Sequence, residues 1–135
     1  MNKDFFKKTR ILDGGMGQEL LARGLITEGS LWSASALLNQ NYHKLILETH
    51  LDFINAGAEV IVTNTFSTKR VRLRENNIEH KFESLNKKAG EIAKKAKKLN
   101  PHIFIAGGLP PQDDTYVADL REDKMIKNDF FDQAK

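Results

Sequence analysis

The chain places three short polar or glycine-rich groups directly after apolar segments: Asp13-Gly14-Gly15, Thr63-Asn64-Thr65 and Gly107-Gly108. Together they offer one carboxylate, several hydroxyl and amide groups, and glycines whose backbone can approach a ligand closely. This combination predicts a polar site for a small molecule.

The sequence contains no cysteine, which excludes disulfides, thiolate zinc sites and cysteine nucleophiles within these 135 residues. Its four histidines show no metal-site spacing. His50 lies in a predicted helix without a second histidine at i+4, so we expect a structural, hydrogen-bonded side chain. The other three are expected at the surface: His43, His80 and His102. The sequence therefore predicts no catalytic residue and no metal ligand.

Apolar segments and helical patterns alternate along the chain. The continuous apolar segments predict three strands: Arg10–Leu12, Glu59–Asn64 and His102–Ala106. Apolar residues at three- and four-residue steps predict a helix from Asn41 that Gly57 ends and a helix at Phe82–Leu99. Shorter helices are predicted at Gln18–Arg23, closed by Gly24, and from Asp123 to Lys135. This order is typical of βαβ units with parallel strands, whose carboxyl ends meet at one edge. We therefore expect the three ligand groups to lie together.

Composition and charge limit the class of protein. With 40% hydrophobic and 29% charged residues, the 135-residue chain is expected to fold as one domain without a second. Its net charge of +3 is small, and the lysines of 87–98 lie on a helix face without interleaved aromatic residues, so no nucleic-acid partner is indicated. No signal peptide or membrane span is predicted, and a cytoplasmic location is expected.

Several features have a simpler explanation. Gly15 and Gly17 match the first two glycines of G-x-G-x-x-G, but the third position is Leu20, so a dinucleotide site competes with a plain strand-to-helix turn. Asp13 could cap that turn instead of binding a ligand. Thr63 and Asn64 could equally end their strand through side-chain hydrogen bonds. A lone tryptophan, Trp32, is expected to serve packing.

Three blocks of sequence resemble the homocysteine S-methyltransferase family. Asp13–Leu20 resembles its D-G-G-x-G-T-E-L, with glutamine in place of threonine, and Leu31–Ala34 resembles its L-W-S-A. His50 together with 56–66 resembles its H-x₅-A-G-A-x-(I/V)-I-x-T-N-T-(Y/F) segment. The blocks cover about the first half of the chain in the family's order. Ala106–Pro111 departs from the glycine-serine-x-glycine-proline that many members have after the third strand.

The resemblance implies a (β/α)₈ TIM-type barrel, of which residues 1–135 would form the N-terminal part with about the first three βα units. It implies methyl transfer from an activated donor to the thiol of homocysteine, or a related thiol, giving methionine. Asp13 and the Gly14 backbone would hold the amino acid's charged groups, and Thr63 and Asn64 would add hydrogen bonds. In the family, zinc bound by three cysteines late in the barrel activates the thiol.

Two hypotheses follow from the absence of those cysteines. In the first, the chain is a truncated methyltransferase barrel that binds no zinc and is inactive alone. In the second, it is a non-catalytic module for small-molecule binding or assembly. The truncated barrel would present open sheet edges, which permit self-association. The methyl donor stays open, with S-methylmethionine, S-adenosylmethionine, betaines and methylated corrinoids or folates as candidates.

Overall fold

The computed structural model describes residues 3–135. Its α-helices are α1 (Met16–Ala22), α2 (Ser35–Leu38), α3 (His43–Asn55), α4 (Arg70–Glu75), α5 (Phe82–Leu99) and α6 (Asp123–Ala134). Its strands are β1 (Val60–Val62) and β2 (Phe104–Ala106). Short 3₁₀ helices lie at Lys3–Lys7, Trp32–Ala34, Gln40–Tyr42 and Glu79–Lys81. The chain is therefore an α/β protein in which helices precede and follow each strand.

The two strands are parallel, with Val60 opposite Phe104 and Val62 opposite Ala106. The predicted parallel arrangement is confirmed, but the prediction of a full first strand at Arg10–Leu12 is wrong. That segment forms only an isolated parallel bridge from Leu12 to Val60. The physical reason is that the Val62 N–H donates to the Asp13 carboxylate at 2.8 Å, and not to a backbone carbonyl that would continue the ladder.

The strands are covered mainly on one face. Ile61 and Ile103 are fully buried in a cluster with Ile54 of α3 and with Ala93 and Ala96 of α5. All three residues of β2 are only half-buried. The helix side of the sheet is therefore covered, whereas β2 keeps part of its surface exposed.

Helices α3 and α5 carry most of the apolar packing behind the sheet. The predicted apolar side of α5 is buried at Phe82, Leu85, Ala89, Ile92 and Ala96. Leu99, which the same spacing placed on that side, is 64% exposed at the end of the helix. The predicted core-facing side of α5 is thus confirmed up to the last turn of the helix.

Two glycines end helices as predicted. Gly24 after α1 has a φ of 92°, and Gly57 after α3 has a φ of 108°. Residues with a Cβ rarely adopt this left-handed conformation, so these positions favour glycine. Between residues 3 and 135, no helix has the length and apolar character that a bilayer crossing requires.

Candidate functional site

A cleft of about 660 Å³ opens where β1 and β2 end. Thr63 and Thr65 line it after β1, and Gly107 and Gly108 line it after β2. The beginning of α5 and the end of α6 complete its walls. Those helices and α4 contribute polar and charged side chains: Arg70, Glu83, Asn86, Lys87, Asp132, Gln133 and Lys135. The cleft therefore combines polar and charged groups with apolar surface at the predicted edge of the sheet.

Hydrogen bonds join the two strand ends at the base of this cleft. The Gly108 N–H donates to Thr63 Oγ1 at 3.3 Å, and Thr65 Oγ1 donates to the Gly108 carbonyl at 3.0 Å. The two threonine hydroxyls are also within hydrogen-bond distance, at 3.0 Å. A Cβ on Gly108 would lie 3.0 Å from Thr65 Oγ1, so glycine allows this close approach. Thr63 thus belongs to the cleft wall and to its hydrogen-bond network.

The Asp13 carboxylate accepts a hydrogen bond from the N–H of Val62, the residue before Thr63. The carboxylate therefore lies next to Thr63. Its side chain is only 3% exposed. Burial raises the pKa of the Asp13 carboxyl above its usual value, and the hydrogen bond from Val62 partly offsets that rise. The carboxylate is therefore a shielded group at the edge of the sheet, beside the cleft rather than in its wall.

Gly14 follows Asp13 and is exposed, with the Phe53 ring packed beneath it. A Cβ on Gly14 would come within 2.7 Å of Phe53 Cε1. This contact explains why the position needs glycine without any reference to a ligand. It also leaves the Gly14 backbone accessible from the solvent side.

Asn64 is buried, and its Nδ2 donates to the Ser33 carbonyl at 3.0 Å. The bond joins the end of β1 to the 3₁₀ helix that begins at Trp32. Of the four predicted site residues, Asp13, Gly14, Thr63 and Asn64, all lie at the same edge of the sheet, but only Thr63 lines the cleft. The structure accounts for Asn64 as a support of the neighbouring loop.

His50 lies behind this edge, on α3. It is fully buried, as expected of a structural residue, but neither ring nitrogen has a hydrogen-bond partner. The expectation of a hydrogen-bonded histidine is therefore wrong. Its Nδ1 lies 4.0 Å from Asp13 Oδ2, beyond hydrogen-bond range. Burial lowers the pKa of His50 to about 4, so the side chain is neutral near pH 7.

The other histidines do not gather at the site. His80 and His102 are exposed, as predicted, whereas His43 is half-buried with Nε2 3.0 Å from the Leu37 carbonyl. Across residues 3–135, no three His, Asp or Glu side chains come together in a group able to hold a metal ion. With no cysteine in the sequence, these residues do not fit a zinc centre.

Trp32 packs in a constrained position. It has a positive φ of 46°, and a Cβ on Gly17 would lie 2.7 Å from its Cζ2. The indole also meets the Phe66 ring edge-on, with centroids 6.2 Å apart. These contacts agree with the packing role expected for this tryptophan.

The sequence interpretation missed Lys69. Its side chain is almost completely buried, and Nζ donates to the Pro111 carbonyl at 2.9 Å and to the Asp113 carbonyl. Burial lowers the pKa of this amine. Lys69 thus connects the loop after β1 to the loop after β2. A single lysine in an unpatterned segment gives no sequence signal for such a role.

The buried imidazole of His50 predicts a pH-dependent stability. The unfolded chain binds a proton at His50 near the ordinary pKa of 6.5, whereas the folded chain binds it only near pH 4. Between these values the unfolded state holds more protons, so the free energy of unfolding falls as the pH is lowered. The full effect is about 3 kcal/mol, most of it present above pH 6.5 and lost by pH 4.

Urea unfolding of the wild type and of His50→Gln between pH 8 and 5 measures this effect. The wild type should lose more stability than the variant over that range. His102→Gln changes an exposed histidine and serves as the control. Parallel stability curves for the wild type and His50→Gln would show that His50 is not the group responsible.

Comparison with known proteins gives consistent matches. The family model described as Homocysteine S-methyltransferase matches residues 10–134. The homocysteine S-methyltransferase of Escherichia coli (strain K12) is 34% identical over 120 residues, which cover 83% of this chain and 38% of that protein. The selenocysteine methyltransferase of Astragalus bisulcatus is 30% identical over 93 residues, or 68% of this chain and 27% of that protein.

A solved structure is also similar. The crystal structure of the homocysteine methyltransferase MmuM from Escherichia coli, in its metallated form, matches with a TM-score of 0.65 and 33% identity. The match covers 78% of this chain and 39% of that one. The chain therefore spans about two fifths of the length of its Escherichia coli relative.

Proposed function

The chain belongs to the homocysteine S-methyltransferase family, and on that premise we propose that it forms the N-terminal part of a (β/α)₈ barrel that methylates the thiol of homocysteine. The methyl group would come from an activated small-molecule donor, and the product would be methionine. The observation that carries the proposal is the position of Asp13 and Thr63 together at the carboxyl edge of a parallel sheet, where such folds bind ligands.

Each proposed binding residue has a physical role. The Asp13 carboxylate would pair with the ammonium group of the amino acid, an interaction strengthened by its shielding from water. The exposed Gly14 backbone would face the amino acid's carboxylate. Thr63 would contribute its hydroxyl from the cleft wall, and Asn64 would hold the adjoining loop through Ser33. These residues bind and orient the substrate.

The reaction itself needs a thiolate, which is the nucleophilic form of the thiol. A zinc ion held by thiolates would supply it in the complete barrel, since a metal deprotonates a coordinated thiol. The 135 residues contain no cysteine, so we assign the zinc ligands to a part of the barrel outside them. The present chain then contributes the amino-acid side of the site.

A second candidate function is a non-catalytic module that binds an amino acid or takes part in assembly. The lack of both cysteine and a metal-binding side-chain group within residues 3–135 favours it. Sequencing the coding region beyond Lys135 separates the two. A continuous reading frame with one late cysteine and an adjacent cysteine pair supports the methyltransferase, and an immediate stop codon supports the module.

Replacing Asp13 with alanine should weaken homocysteine binding by about ten- to a hundredfold. The change removes a charge-assisted contact worth about 1.5–3 kcal/mol. Isothermal titration calorimetry measures the difference when both proteins are co-expressed with the part of the Escherichia coli relative that follows its matched segment. Asp52→Ala is the matched control, because Asp52 is an exposed carboxylate of α3 that pairs with Arg23 at the end of α1.

The same titration with 4-mercaptobutanoate, which lacks the amino group, tests the assigned contact. The wild type should prefer homocysteine, and the Asp13→Ala protein should lose that preference. Equal affinities of the two proteins for homocysteine would remove Asp13 from the site.

A further inference from the structure

Two side chains of α3 support the loop that carries Asp13 and Gly14. Phe53 lies beneath Gly14, and His50, three residues earlier on the same helix face, lies beneath Asp13. His50 Nδ1 is 4.0 Å from Asp13 Oδ2. The proposed amino-acid site therefore rests on one face of this helix.

The histidine is in an unusual environment for a polar group. It is fully buried, and neither of its ring nitrogens has a hydrogen-bond partner. Most buried polar groups in proteins are paired, because an unpaired one costs about 1–3 kcal/mol. The group within reach of Nδ1 is the Asp13 carboxylate, about 1 Å beyond the usual hydrogen-bond distance.

The charge state of His50 matters for this pair. A protonated imidazole would form an ion pair with Asp13 and offset the negative charge that an ammonium ligand needs. Burial keeps the imidazole neutral near pH 7, so it can donate one N–H and leave the carboxylate's charge in place.

The carboxylate can move the short distance that separates it from the ring. Rotation about the Cβ–Cγ bond of an aspartate is soft, because this torsion has a broad energy minimum. A carboxylate oxygen would need to move by about 1 Å to come within hydrogen-bond range of Nδ1. In the structure, Asp13 Oδ2 accepts a hydrogen bond from the Val62 N–H at 2.8 Å.

We propose that His50 is a positioning residue, whose Nδ1–H donates to the Asp13 carboxylate when that carboxylate binds the ammonium group of an amino-acid substrate. The inference rests on the proposed function, since it requires an amine ligand at Asp13. His50 would not touch the substrate. It would fix the orientation of the group that does, and the unpaired imidazole of the free protein would gain its partner on binding.

Calorimetric titration of homocysteine into the wild type and three variants, each co-expressed with the part of the Escherichia coli relative that follows its matched segment, tests the proposal. His50→Leu removes the donor and should weaken binding about five- to tenfold, whereas His50→Asn, which places an amide N–H near Nδ1, should stay within about twofold of the wild type. Thr49→Val is the matched control, because Thr49 is equally buried and bonds only within α3, to the Leu45 carbonyl at 2.9 Å. It should leave the affinity unchanged.

A second measurement on the unaltered chain avoids dependence on the folding of any variant. Homocysteine should shift the ¹⁵N resonance of the His50 ring, and 4-mercaptobutanoate, which has no amine, should not. If His50 served only packing, its resonance would not distinguish homocysteine from 4-mercaptobutanoate. His50→Asn would then bind homocysteine no better than His50→Leu.

The outcomes separate the two proposals. No binding of homocysteine to the wild type when the missing barrel units are present overturns the proposed function and this inference with it. Binding that is equally tight in the wild type and in His50→Leu, or a His50 resonance unmoved by bound homocysteine, overturns the inference alone. Weaker binding in His50→Leu, rescue in His50→Asn and an amine-dependent shift support it.

Discussion

The purified 135-residue chain is expected to hold no stoichiometric zinc and to form no methionine from homocysteine and S-methylmethionine. Catalytic zinc sites need three protein ligands with fixed geometry and an open position. The sequence has no cysteine, and across residues 3–135 no three His, Asp or Glu side chains gather to replace the thiolates. The scattered histidines lack the geometry, so the loss of activity should be complete.

Metal analysis after incubation with zinc and desalting tests whether the chain binds zinc. A methionine assay tests whether it transfers the methyl group. The Escherichia coli relative, treated identically, is the control, since its solved structure includes a metallated form. One tightly bound zinc per chain, or turnover above background, would contradict the prediction.

The strongest parts of the fold could be predicted because local pattern and tertiary packing agree. The periodic apolar side of Phe82–Leu99 and the β-branched run at Glu59–Asn64 gave the positions of α5 and β1. The prediction of a full strand at Arg10–Leu12 was wrong because the Asp13 side chain accepts the hydrogen bond from the Val62 N–H, which a longer ladder would need. The short helices α2 and α4 carry too few residues for a periodic signal.

The site was predictable in its location and less so in its contacts. Parallel strands bring their carboxyl ends together, so Asp13 and Thr63 had to be neighbours at one edge. The partners of Asn64 and Lys69 lie 31 and 42 residues away, at Ser33 and Pro111, and no local pattern identifies those carbonyls. The burial of His50 follows from its helix position, whereas its lack of a partner is visible only in three dimensions.

The chain produced alone is expected to self-associate or to be partly molten, and to become monodisperse and ordered when the rest of the barrel is supplied. Within the described residues, β2 pairs with β1 on one side and with no strand on its other side. Ile11 and Leu12 are more than half exposed, and all three residues of β2 are only partly buried. Open edges and uncovered apolar strands favour pairing with another copy.

Size-exclusion chromatography with light scattering measures the mass, and near-ultraviolet circular dichroism of Trp32 measures fixed tertiary packing. Co-expression with the part of the Escherichia coli relative that follows its matched segment provides the missing units, and co-expression with an unrelated domain is the control. If this chain is the first part of a barrel, the mass and the circular dichroism should change only on co-expression with the segment of the Escherichia coli relative. Only those units can cover β2 and the exposed strand face. A monodisperse monomer that unfolds cooperatively without any added segment would establish a self-sufficient domain, and the barrel-fragment proposal would then be wrong.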